Sequence, residues 1–100
     1  MVQTFKPNKM NGQIPTQGRI VIYTLTDETV NALKNLGCNA QKELPAMIVA
    51  AWGDQPSSAV NLKVFVDGKH EDLWITSATG ATANEAGEYP KGSWHWPVKK

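Results

Sequence analysis

The stretch 60–66, Val-Asn-Leu-Lys-Val-Phe-Val, constrains this chain more than any other. Val60, Leu62, Val64 and Val66 recur at every second position, with Asn61, Lys63 and Phe65 between them. Successive side chains alternate sides only on an extended backbone, so a period of two reads as a strand with one buried face. A strand leaves its amides and carbonyls unpaired until neighbours supply partners. Those neighbours have to come from a chain of 100 residues, a length that supports one core.

Four further segments fit that demand. Residues 19–25 (RIVIYTL) are β-branched and aromatic. Residues 46–52 (AMIVAAW) are a continuous apolar run between Pro45 and Gly53, which reads as a strand buried on both sides. The pair Asp67-Gly68 marks a turn into 73–78 (LWITSA), and 92–97 (GSWHWP) gives a short last strand ended by Pro97. Between the first two strands lies a helix signal at about 27–36. Thr26 or Asp27 can cap it, Asp27 and Glu28 place negative charge at its start, Val30, Leu33 and Leu36 form a stripe, and Gly37 closes it. So short a helix needs the sheet to pack on.

The expected fold is mainly β: about five strands with one short inserted helix, as a small SH3-like barrel or a strongly bent antiparallel sheet. Residues 79–91 form a long polar loop between the last two strands. Residues 1–18, punctuated by Pro7, Gly12, Pro15 and Gly18, read as an extended arm lying on the domain's flank or on a neighbouring subunit, with 19–100 as the domain itself.

Charge argues against whole classes of partner. Ten basic and nine acidic residues leave a net charge of +1, scattered along the chain, so no field draws in nucleic acid. No segment approaches the roughly 20 apolar residues of a membrane span. The N-terminal residues lack the apolar centre of a signal peptide. The single Cys38 cannot close an internal disulfide or build a cysteine zinc site. These features favour a soluble cytoplasmic chain without nucleic-acid or membrane partners.

Catalytic patterns are equally thin. The histidines are His70 and His95. His70-Glu71-Asp72 beside the Asp67-Gly68 turn reads as a solvated hairpin tip rather than a base with carboxylate partners. Ser57-Ser58 lacks a nucleophile elbow, Cys38 has no histidine near it in sequence, and Thr79-Gly80-Ala81-Thr82 is not a phosphate-cradling loop. A metal site would need His70, Glu71, Asp72 and His95 to converge. The expectation is a chain without cofactor, metal or catalytic residues.

The positive feature is aromatic. Trp52, Trp74, Trp94 and Trp96 all fall in the later half of the sequence. On a strand Trp94 and Trp96 share a face, with Ser93 and His95 on the other. They either fill a thin core or make an aromatic wall beside 79–91 that stacks on a proline-rich peptide, a base or another subunit. The candidate binding set is Trp52, Trp74, Thr76, Ser77, Trp94, His95 and Trp96.

The blocks Leu44-Pro45-Ala46-Met47-Ile48-Val49, Trp52-Gly53-Asp54, VNLKVFVDG from Val60, LWITS from Leu73 and the terminal GSWHWP together resemble small uncharacterised proteins of tailed bacteriophages and prophages. In those proteins a Gly-x-Ile/Val-Val-x-Tyr strand opens the domain, as Gly18-Arg19-Ile20-Val21-Ile22-Tyr23 does here. The resemblance spans about 18–97; the helix region 26–44 stands where those proteins have a shorter connection, and the 1–18 arm looks like an addition. It implies an origin and not a mechanism. With the lack of catalytic groups, the expectation is an accessory protein that binds a host factor or small signalling ligand in host takeover or anti-defence. The alternative is a virion component such as a capsid-decorating or stabilising protein. Either way the chain is expected to form a homo-oligomer, in the host cytoplasm or the virion.

Overall fold

The computed structural model describes residues 12–69 and 72–97. Residues 1–11 of the expected arm, and His70 and Glu71 of the hairpin tip, lie outside the described residues. The elements run β1 (Ile20–Thr24), α1 (Asp27–Asn35), β2 (Glu43–Ala51), β3 (Val60–Val64), β4 (Leu73–Ala78) and β5 (Trp94–His95). They form one sheet in the order β4-β3-β2-β1-β5, with every neighbouring pair antiparallel. Among the described residues the fold is mainly β, a five-stranded sheet bent into a half-barrel with a single short helix.

Bending brings the two ends of the sheet together. Beyond β4 the chain meets β5 in a parallel bridge, Gly80 against Trp94. Trp94 N–H donates to the Thr79 carbonyl (3.1 Å) and Ala81 N–H to the Trp94 carbonyl (3.0 Å). Only glycine fits at position 80, because a Cβ there would lie 2.8 Å from the Trp94 ring.

The concave face is the core. Val21 and Tyr23 from β1, Leu44, Ala46 and Ile48 from β2, Val60, Leu62 and Val64 from β3, and Trp94 from β5 are buried together. Each buried aliphatic side chain contributes about 1.5–3 kcal/mol, so the two-residue period of β3 anchors this face. The helix adds one fully covered residue, Leu33. Thr26 caps it by accepting from Thr29 N–H (3.2 Å), and Gly37 at φ 80° turns the chain so that Cys38 N–H reaches the Leu33 carbonyl. Leu36, expected in the helix's apolar stripe, is exposed instead, because the helix ends before that position turns inward.

The expected strand at 46–52 differs most from its sequence reading. β2 begins before Pro45 and alternates, with Leu44, Ala46 and Ile48 inward and Pro45 and Met47 outward. It is therefore covered on one face only, and its unbroken apolar composition does not mean burial on both sides. Pro45 is tolerated within it because its carbonyl still accepts from Phe65 N–H (2.9 Å) while the missing N–H falls where β3 is ending. Of the expected arm, the described part lies against β2: Pro15 is fully buried, Gly18 N–H donates to the Ile48 carbonyl, and the Gln17 side chain donates to the Val49 carbonyl. Among the described residues no helix is long and apolar enough to cross a membrane.

Candidate interaction surface

Two-residue periodicity sends every second side chain of the sheet outward, and here many of those positions are apolar. Strand register lines up Ile20, Met47, Lys63 and Trp74 across β1, β2, β3 and β4. Ile20, Met47 and Trp74 are all exposed, Trp74 by 62%, and Phe65 lies exposed on the same side of the chain as Lys63. Lys63 is the one charge in this row. A run of large apolar side chains in solvent is the usual mark of an interaction site on a small protein.

Trp52 borders this surface. It follows β2, is 63% exposed, and its indole N–H donates to Asn61 Oδ1 (3.1 Å). The same oxygen accepts from the backbone N–H of Ser77 (3.0 Å). Asn61 thus ties Trp52 to the end of β4. Ser77 has a left-handed backbone, φ 54°, beside a register shift between β3 and β4. That conformation costs a non-glycine residue about 1–3 kcal/mol, and the Asn61 hydrogen bond helps to hold it. Thr76 is exposed next to it. Four of the seven sequence-selected residues, Trp52, Trp74, Thr76 and Ser77, are therefore gathered at one margin of the sheet.

The remaining three are elsewhere. Trp94 is 0% exposed and forms part of the core, its indole N–H donating to the Ser58 carbonyl (3.2 Å). Trp96 meets it edge-on at 5.5 Å between ring centroids, with the Arg19 guanidinium 4.7 Å from the Trp96 ring centroid. His95 points to the outer side but is only 5% exposed, because Tyr89 of the long loop stacks flat on it at 3.5 Å. The four tryptophans do not make one wall.

His95 belongs to a second feature. Its Nε2 lies 3.7 Å from Glu43 Oε2, which also accepts from the Thr24 hydroxyl (3.3 Å). Burial holds the imidazole pKa below its ordinary value, opposed by the Glu43 carboxylate. Burial and then Glu43 push the Tyr89 phenol up. Next to this cluster a cleft of about 710 Å³ opens between α1 and the loop, lined by Thr24, Asp27, Val30, Glu43, Tyr89 and Lys91 among others. Lys91 Nζ bridges both Asp27 oxygens at 2.8 Å, holding that carboxyl below the usual range. Among the described residues no three His, Cys, Asp or Glu side chains are grouped to hold a metal ion.

Sequence reasoning placed Phe65 on the face of β3 away from the core but missed Ile20 and Met47 as surface residues. The signal was present in the alternation of β2 and β3, but the apolar run at 46–52 concealed it. Comparison with protein-family models, curated proteins and solved structures finds no match to this chain.

Proposed function

We propose that this chain is a non-catalytic binding module that docks on a partner protein through the outer face of its sheet. The observation that carries the reading is the exposure of Trp52 and Trp74, two large aromatic side chains held at one margin of an apolar row. Aromatic residues of this kind dominate protein–protein binding energy when a partner covers them. His95 supports the non-catalytic reading, since Tyr89 covers it and a general base has to reach its substrate. The phage-like sequence blocks support a host protein as the partner, in an accessory role. The alternative partner is another virion subunit.

A photo-crosslinking residue placed at Met47, at the centre of the row, tests this in infected or expressing cells. The expected result is one discrete adduct that disappears in the Trp52→Ala/Trp74→Ala variant, while the same probe at Glu85 gives none. An adduct that survives the double substitution in a folded protein would sink the reading. Mass spectrometry of purified particles then separates the two partners, since only a virion component travels with them.

A further inference from the structure

We infer that the free edge of β4 pairs with β4 of a second copy of this chain, in antiparallel register about a two-fold axis through Ile75. The argument uses the strand's backbone and not the outer face, so it stands apart from the reading above.

The hydrogen-bond pattern fixes which groups of β4 are free. Phe65 N–H donates to the Pro45 carbonyl, so the backbone at 63 and 65 turns toward β2, and that at 62 and 64 toward β4. Leu62 pairs with Ile75 and Val64 with Leu73. Leu73 and Ile75 therefore direct their amides and carbonyls to β3. Those of Trp74 and Thr76 point the other way, and β4 ends the sheet. The Ser77 amide, bonded to Asn61, turns back toward β3 as the alternation requires.

Exposed edges of this kind are normally blunted by lysine, proline or a covering segment. β4 (LWITSA) carries no charge and no proline. At the other edge of the sheet, the outward groups of Trp94 are taken by Thr79 and Ala81. Among the described residues nothing does the same for Trp74 and Thr76.

A second copy matches this edge. With Ile75 on the two-fold axis, Trp74 of each chain lies opposite Thr76 of the other. Both pairs then have their outward amides and carbonyls facing, and each exchanges two hydrogen bonds. Ile75, half-buried in the monomer, meets its own copy in the close non-bonded pair. No like charges oppose one another, because none occurs between Leu73 and Ala78. The bulge at Ser77 ends the ladder, so the match is short and the pairing reversible with concentration.

Sedimentation equilibrium over a wide concentration range, with two variants, tests this. Wild-type protein is expected to dimerise. The variant Thr76→Pro removes an outward N–H from each chain and leaves the β3 bonds intact, so it should weaken dimerisation roughly tenfold or more. Ile75→Cys places two thiols about 4.5 Å apart by Cα, within disulfide reach, and should cross-link under mild oxidation where wild type does not. A wild-type monomer at the highest concentration overturns the inference. So does a folded Thr76→Pro protein that dimerises as wild type, or a folded Ile75→Cys protein that does not cross-link. If Thr76→Pro fails to fold, the cysteine result decides alone. Trp74→Ala keeps the backbone edge and should still dimerise, whereas it should lose the partner-protein adduct; the two proposals therefore fail separately.

Discussion

Trp94 lies inside the half-barrel with half-buried Trp96 packed against it, whereas Trp52 and Trp74 stand in solvent, although all four are the same side chain within 45 positions. The difference lies in what surrounds each position. Trp94 sits where the sheet curls onto itself, with Gly80 pressed against its ring and Ser58 accepting its indole hydrogen. Trp74 occupies an equivalent alternating position on an edge strand, but on the convex face, where no second layer covers it among the described residues. The inner pair is expected to carry stability and the outer pair recognition.

That division can be broken by substitution. Trp94→Ala should cost about 3–5 kcal/mol in denaturant unfolding followed by circular dichroism, as for other buried aromatic truncations. A loss under about 1 kcal/mol would show that the closing contact does not matter. Gly80→Ala should cost about 1–3 kcal/mol in the same assay, because the added methyl must displace the Trp94 ring or its strand. Asn61→Ala should cost about 1 kcal/mol, since it removes the acceptor shared by Trp52 and Ser77 and leaves the strained Ser77 backbone unsupported. Trp52→Ala and Trp74→Ala should each change stability by about 0.5 kcal/mol or less, as expected for exposed positions. If either costs as much as Trp94→Ala, the comparison is wrong.

The stacked Tyr89–His95 pair sharpens the contrast through pH. His95 holds a pKa below 6.5 in the folded protein, so the unfolded chain binds the proton more readily. Its contribution is therefore fully present above the unfolded value. It is lost as pH falls from about 6.5 through the lowered folded value, and the loss levels off below that. Thermal unfolding measured at intervals across this range should show the decline in wild type and its reduction in His95→Gln. An identical pH profile in the two proteins would mean that the imidazole is not buried as described.

Much of the fold is legible in the sequence. The alternation at 60–66 located β3, the Thr26 and Gly37 signals bounded α1, and the β-branched run at 19–25 contained β1. These are local features, set by backbone geometry and capping within a few residues. The surface was harder to read. Met47 lies in a run so apolar that burial is the natural reading, yet among the described residues it is exposed on the outer face. Conversely His95, a polar residue expected at a binding edge, is covered by Tyr89 from a loop whose path no periodicity describes.

By itself the sequence determined the extended segments, the helix and its caps, and the concentration of tryptophan in the later half. Local propensity and side-chain period are enough for that. Only the tertiary structure decided which tryptophans are core and which are surface. The reason is the curvature of the sheet: a bent sheet has one concave side that covers its residues and one convex side that does not. That curvature is set by long-range contacts such as Gly80 with Trp94, not by any local pattern. The same long-range pairing closes one edge of the sheet and, among the described residues, leaves the β4 edge open.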